Sequence, residues 1–315
     1  MSLAANIITV TVTTMQVVVG FTLNACIVSF SFKSMKTRPT SNPTSLIYFI
    51  MGLLNVFMDL VFTVEAFIYI FTPLTFFTEE ISFTMIMLSM TVTYSSFWLT
   101  GWLCTCYCVT ISNFSHWFLG ILKQFLASFL PHILLLSVIG PFVMSIFLFW
   151  MARMICPIQS SINNTQTSFG FPLVIINPVY SVMVTLLGCC LPFILTLGST
   201  GVTVSSLIRH INNMKYNVAG DNCPNLQALF SATKTMVLFL IFSIISYITE
   251  FLWMTFLRNP FSDRSVIIWF MITSFPTAEA MIIAQAIPKL RKMILDRIHP
   301  TTNRKKLIHI ILCIT

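Results

Sequence analysis

Seven apolar runs of 20 or more residues each, separated by short polar or charged stretches, limit what this chain can fold into. They cover 7–32, 45–71, 81–109, 129–150, 179–207, 229–257 and 266–287, and a basic tail follows over 288–315. A helix of 20 residues rises about 30 Å, the thickness of a bilayer's hydrocarbon core. Each run is therefore expected to form one transmembrane helix, giving an all-α, seven-helix membrane bundle as a single domain. Only 8% of the residues are charged against 57% hydrophobic, and mean hydropathy is +0.90. A soluble globule carries about 25% charged residues, so a soluble enzyme of this length is excluded. The first run has no preceding cation and no small-residue cleavage site after it, so it is read as a span and not as a signal peptide.

Charge placement orients the bundle. If the runs alternate direction, 14 of the 17 Lys and Arg residues fall on one side: Lys33, Lys36, Arg38, Lys123, Arg209, Lys215, Lys234 and the seven beyond residue 288. Arg153, Arg258 and Arg264 fall on the other. The positive-inside rule then puts the N-terminus outside and the tail in the cytoplasm. The pair of runs around Ser206-Leu207-Ile208-Arg209-His210 and Lys234 shows the pattern most clearly, because both ends carry cations where they meet. The net charge of +8 is explained by this belt and needs no nucleic-acid partner. The segment Arg304–Lys306 suits anionic lipid.

The longest outer connection, Met151 to Pro178, is rich in Ser, Asn and Thr and holds the sequon Asn163-Asn164-Thr165. Asn163 is thus expected to be glycosylated, whereas Asn113-Phe114-Ser115 falls on the cytoplasmic side. Six of the nine cysteines, Cys26, Cys104, Cys106, Cys108, Cys189 and Cys190, lie within runs and read as small packing residues. Cys156 in the outer connection meets no cysteine at Ile81-Ser82, so no staple joins that connection to the third run. No metal-ligand spacing, phosphate-binding glycine loop or nucleophile motif is present, so neither enzyme chemistry nor a cofactor is expected.

Carboxyl groups inside apolar runs cost several kcal/mol and so point to function. Four occur: Asp59, Glu65, Glu250 and Glu279. Glu65 lies six residues beyond Asp59, about 9 Å nearer the outer surface by helical rise. Glu250 lies in the outer part of the sixth run. Both are placed to face an outward-opening cavity, with pairing to Arg258 or an interfacial position as the alternative. Glu279 sits past the middle of the seventh run and reads as structural or as part of a switch.

Several stretches carry a family resemblance. Ser206-Leu207-Ile208-Arg209-His210-Ile211-Asn212-Asn213-Met214 resembles the fifth-span ending of the bitter taste receptors (taste receptor type 2). Ala232-Thr233-Lys234-Thr235 with Phe239-Leu240 resembles that family's sixth-span opening. Trp98-Leu99, Tyr107 and Ile111-Ser112-Asn113-Phe114-Ser115-His116 fit its third span, and Pro276 with Lys289-Leu290-Arg291 its seventh. The chain departs from the pattern at Glu279-Ala280 (His-Ser in the family), Ile287 (Asn), Thr110 (Lys) and Leu229 (His). It also lacks the Arg usual in span two, and so reads as a divergent member.

The resemblance implies a G-protein-coupled receptor of the plasma membrane. It would bind small, often bitter molecules in an outer cavity of spans two, three, five, six and seven and activate a heterotrimeric G protein with a gustducin-type α subunit and βγ. Matching family positions, by counting from Tyr107 and Glu279, adds Ser89, Thr93 and Trp269 to Glu65 and Glu250 as the ligand-binding set. For Ser89, Thr93 and Trp269 the alternative is ordinary helix packing. Tyr107, Arg209, His210, Lys234 and Glu279 form the coupling or switch set. Two carboxyl groups with aromatic walls suit cationic amphiphiles. Receptor oligomers are compatible with this reading.

Three alternatives stand beside it. A vomeronasal type 1 pheromone receptor shares seven spans but not the Ser-Leu-x-Arg-His ending. A small-solute transporter normally shows internal repeats, absent here. A retinal protein needs a lysine within the seventh span, and Lys289 lies at its end.

Overall fold

The computed structural model describes residues 3–37, 43–71, 78–111, 117–155, 158–159, 168–169, 173–217, 224–256 and 263–298. Helices dominate. α1 (Leu3–Thr37), α2 (Pro43–Phe71), α3 (Glu79–Ile111) and α4 (Trp117–Ile146) come first. α5 begins at Pro178–Thr185, passes through a π-helical turn at Leu186–Cys190 and continues as Leu191–Asn217. α6 spans Pro224–Phe256. α7 runs Asp263–Thr273, bends by 41° at Ser274 and resumes over Phe275–Ala286. α8 (Pro288–Ile298) follows directly.

Five stretches are long and apolar enough to cross a membrane: Thr11–Lys36, Thr44–Ile68, Ser128–Met151, Pro178–Arg209 and Phe230–Trp253. The bent pair Ile267–Thr273 and Phe275–Ala286 makes a sixth if counted as one span. The chain is thus a multi-pass membrane protein. The run expected over 81–109 forms α3, which is 33 residues long yet stands outside that set. Its load of Ser and Thr is the reason, and its position explains the load. α3 is the central helix, packed against α2, α4, α5 and α6 and buried along most of its length. Small hydroxyl residues let neighbouring backbones come close where lipid offers no hydrophobic drive for helix association. The hydroxyls bond back one turn: Thr91 Oγ1 donates to the Met87 carbonyl (2.8 Å), Ser95 to Thr91 (2.7 Å) and Thr105 to Gly101 (2.8 Å).

Some boundaries differ from those the composition suggests. α4 starts at Trp117, well before the expected Phe129, so the polar-aromatic stretch before that run is partly helix. The bend in α7 has a cause in sequence: Pro276 has no N–H to donate to Ile272, and Ser274 closes the preceding turn by donating to the Phe270 carbonyl at 3.1 Å. α8 continues into what composition marks only as a basic tail. Its Leu290 is fully buried against the bundle while Lys289, Arg291 and Lys292 are exposed.

The connection between α4 and α5 holds local structure that its Ser/Asn-rich sequence hides. β1 (Ala152–Ile155) pairs antiparallel with β4 (Leu173–Ile176), with Arg153 opposite Ile175. Farther out, β2 (Ile158–Gln159) pairs with β3 (Ser168–Phe169). The hairpin delivers the chain to α5 at Asn177, whose N–H donates to the Met151 carbonyl (2.8 Å). The Asn177 side chain caps α5 by accepting from the Val179 N–H (2.9 Å), with Pro178 in the first turn. Asn163 lies outside the described residues. The cysteines expected as packing residues, Cys26, Cys104, Cys106, Cys108, Cys189 and Cys190, are free thiols, four of them buried.

Three apolar clusters stack along the bundle. One, at the end near α8, gathers Ile27, Met51, Leu103, Met236, Phe239 and Ile283. A second, under the hairpin, joins Phe83, Tyr94, Phe97, Leu148, Val174 and Val184. The third lies between α2, α3 and α7 around Met58, Phe62, Val92, Ile268 and Ile272. The last two frame the candidate site.

Candidate functional site

At the hairpin end of the bundle, four helices each turn one face towards a common cavity. α2 contributes Phe62 and Glu65, α6 contributes Glu250 and Trp253, and α7 contributes Trp269 and Ile272. In each pair the residues are three apart, neighbours on one helical face. α3 adds Ile86, Ser89, Met90 and Thr93, the same stripe repeated over two turns. Glu65, Ser89, Thr93, Glu250 and Trp269, the five residues named from sequence for ligand binding, all lie on this one cavity.

Its walls are aromatic. The Trp269 ring meets Phe62 edge-on, with centroids 6.0 Å apart, and meets Trp253 at 6.1 Å. Glu65 and Glu250 are both almost fully buried, and among the described residues no Lys, Arg or His lines the cavity. Glu250 accepts one long hydrogen bond, 3.4 Å, from the Tyr94 hydroxyl. The free space is small, about 20 Å³, close to the volume one water needs. The cavity can hold a cation or hydrogen-bond donor against two carboxyl groups and aromatic faces, but only after its walls separate.

Sequence reasoning missed Phe62 and Trp253. Each sits one helical turn from a carboxylate it did identify, so stepping three residues from Glu65 and Glu250 would have found them. In an apolar run no other feature separates such an aromatic residue from ordinary lipid-facing or core residues.

Roughly three turns deeper along α7 lies a second polar layer. The Glu279 carboxyl group accepts from Ser96 Oγ at 2.8 Å to each of its oxygens, and from Thr100 Oγ1 at 3.1 Å. That ties α7 to α3. α1 joins through Asn24, whose Nδ2 donates to the Pro276 carbonyl (3.3 Å) and whose Oδ1 accepts from Asn55 Nδ2 of α2 (3.3 Å). Thr273 Oγ1 donates to Gln16 Oε1 and Thr277 Oγ1 to the Gln16 carbonyl, both at 3.0 Å. Gly20 permits this contact. A Cβ there would stand 2.5 Å from Thr277 Oγ1 and 3.1 Å from Asp59. Asp59 is fully buried beside it.

The remaining residues expected to act in coupling lie towards the other end. Tyr107 of α3 and Tyr48 of α2 share a hydrogen bond between their hydroxyls. Arg209, near the end of α5, and Lys234, in the early turns of α6, are both exposed. His210 belongs to α5, but its side chain lies outside the described residues. The structure thus brings the ligand set together on one cavity, joins Tyr107 to α2 and Glu279 to α3, and places Arg209 and Lys234 on separate helices.

The family model for "Taste receptor protein (TAS2R)" matches residues 1–300. Taste receptor type 2 member 40 of Gallus gallus is 26% identical over 293 residues, covering 90% of this chain and 91% of that protein. Taste receptor type 2 member 39 of Homo sapiens is 28% identical over 229 residues, 70% of this chain and 66% of that protein. Taste receptor type 2 member 41 of Rattus norvegicus is 29% identical over 159 residues, about half of each chain. The match runs through all the spans and takes the place of the pheromone-receptor, transporter and retinal-protein alternatives. The chain is a signalling receptor of the membrane and not an enzyme: it belongs to the taste receptor type 2 family.

Proposed function

We propose that this chain is a seven-span bitter receptor of the plasma membrane, with its N-terminus outside and its tail in the cytoplasm. Its ligands are small cationic amphiphiles, and its output is a heterotrimeric G protein of the gustducin type. One observation carries the ligand reading: Glu65 and Glu250 lie on one aromatic-walled cavity whose described lining includes no basic residue. A ligand cation supplies the missing charge, its apolar body rests on Trp253 and Trp269, and Ser89 and Thr93 offer hydroxyls. Because the free space is about 20 Å³, the agonist binds an expanded conformer and shifts the population towards it by its differential affinity.

On this reading Glu279 carries the movement of α7 to α3, and Tyr107, Arg209, His210 and Lys234 form the face or switch that meets the G protein. The outward orientation rests on the cation asymmetry, and with it Asn163 becomes a glycosylation site. The decisive experiment is calcium release in cells co-expressing the receptor with a promiscuous G-protein α subunit, across a panel of bitter alkaloids and neutral bitter compounds. A dose-dependent response to cationic compounds, lost in Arg209→Ala/Lys234→Ala at equal surface level, is the expected result. Response to neutral compounds alone, at confirmed surface expression, would refute the cation reading.

A further inference from the structure

A larger cavity shares Glu250 with the first. Its volume is about 690 Å³, within the range of pockets that take small organic molecules. It lies between the opening turns of α5, from Ser181 to Phe193, and the last turns of α6, from Ile244 to Phe251. Val174 and Ile176 of the hairpin line it at one end. Val182, Leu186, Ile248 and Phe251 on its rim are exposed, Phe251 at 71%. On helices of a membrane protein these side chains meet lipid. The cavity therefore opens sideways into the bilayer.

Local backbone chemistry shapes it. The π-helical turn at Leu186–Cys190 breaks the regular α5 ladder beside the cavity, a feature frequent at functional sites. Gly188 within that turn packs on Tyr94, since a Cβ there would lie 2.9 Å from the ring. Tyr94 thereby reaches across beneath the cavity to Glu250.

Its lining is mainly apolar, and Tyr247 and Glu250 of α6 are among its polar members. The Tyr247 hydroxyl is buried with no hydrogen-bond partner among the described residues. Its ring is held edge-on by Phe97, centroids 4.5 Å apart, and by Phe193 at 5.4 Å, so the hydroxyl has little freedom to seek another partner. Glu250 stands three residues on, on the same face of α6, and lines both cavities. A buried hydroxyl without a partner has given up its hydration with nothing in return. A donor and an acceptor set one helical turn apart match a ligand group that both accepts and donates. A neutral hydroxyl does so, accepting from Tyr247 and donating to Glu250. An amine cation can donate to both the Glu250 carboxyl and the Tyr247 oxygen, but it leaves the Tyr247 hydrogen without an acceptor.

We propose that the cavity between α5 and α6 is a second ligand site that takes a membrane-dissolved alcohol or phenol with an apolar body. Its hydroxyl is held by Tyr247 and Glu250. Since Glu250 belongs to both cavities, an occupant here competes for the carboxyl group that serves the agonist cavity. That consequence rests on the bitter-receptor reading; the binding itself does not.

The test reads binding directly. The full chain in phosphatidylcholine nanodiscs is photolabelled with a para-alkyl phenol bearing a diazirine and an alkyne, and the labelled peptides are mapped. The O-methyl ether of the same probe, unable to donate, serves as the control. Label is expected within 181–193 and 244–251, about five-fold weaker for the ether and for Tyr247→Phe. Leu186→Trp should abolish it by filling the cavity, whereas Leu136→Trp, on an exposed face of α4, should leave it unchanged. Equal labelling by phenol and ether on the wild-type chain overturns the proposal, even if a variant misfolds. So does label confined to the segment 86–93 and lost in Ser89→Trp, because the phenol would then occupy the agonist cavity. Neither outcome bears on whether the receptor signals to cations.

Discussion

Glu279 and the pair Glu65 and Glu250 are all buried carboxyl groups facing α3, yet their surroundings differ. Glu279 accepts from the hydroxyls of Ser96, shared between its two oxygens, and Thr100, and neighbouring Asn24, Asn55 and Gln16 tie α1, α2 and α7 together. At the hairpin end, Glu250 has one contact of 3.4 Å and shares a small cavity with Glu65 and aromatic rings. On the proposed function, the contrast separates holding from receiving. A buried carboxyl group already satisfied by its own helices has little left to offer a ligand and strongly resists removal. One that is buried but under-satisfied gains most from an incoming donor.

Removal of Glu279 breaks that comparison most severely. Glu279→Leu leaves Ser96 and Thr100 facing an apolar group at the α3–α7 contact, and each orphaned hydroxyl costs about 1–3 kcal/mol. Surface expression is expected to fall to background, whereas Glu279→Gln, which keeps an acceptor for Ser96, should retain a substantial fraction. Flow cytometry of an N-terminal tag on unpermeabilised cells measures both. Equal expression of the Glu279→Leu variant and the wild-type receptor would show that the layer is not a structural tie.

The next effect belongs to the cavity. Glu65→Gln/Glu250→Gln keeps the shape and removes the charge, so surface expression should hold while potency for cationic agonists falls about 10- to 100-fold. Neutral agonists should be nearly unaffected. The concentration for half-maximal calcium release, compared between a cationic agonist and a neutral one, reads the difference. A parallel loss for both classes would mean that the pair supports the fold as Glu279 does.

Much of this arrangement is legible in the residues. A carboxyl group in a run of Leu, Ile and Phe stands out because its burial is expensive, so Glu65, Glu250 and Glu279 are conspicuous. Family positions then add Ser89, Thr93 and Trp269. Phe62 and Trp253 stay hidden because an aromatic residue among apolar ones gives no signal until the facing helices are known. The start of α4 at Trp117 is masked by the polar-aromatic composition before Phe129. α8 reads as basic tail because its cations dominate the composition, although Leu290 and Ile294, four apart, mark one packed stripe. The 690 Å³ cavity has no sequence signal at all. It depends on a π-helical turn and on where a hairpin places Val174 and Ile176.

The smallest effect tests the aromatic wall of the receptive region. Trp269 touches both Phe62 and Trp253, so its ring links the aromatic walls that α2 and α6 give the cavity. Trp269→Phe keeps an aromatic face but a weaker one, and Trp269→Leu keeps bulk without a π-system. Cation–π attraction contributes about 0.5–2 kcal/mol, strongest for Trp. Potency for a cationic agonist is therefore expected to fall about two-fold in the Phe variant and about five- to ten-fold in the Leu variant. A neutral agonist of similar shape should respond equally to both variants, because it feels only the change in packing. If cationic and neutral agonists lose potency together through the series, Trp269 acts as a wall and not as a cation-binding face. The selectivity of the cavity for cations would then rest on Glu65 and Glu250 alone.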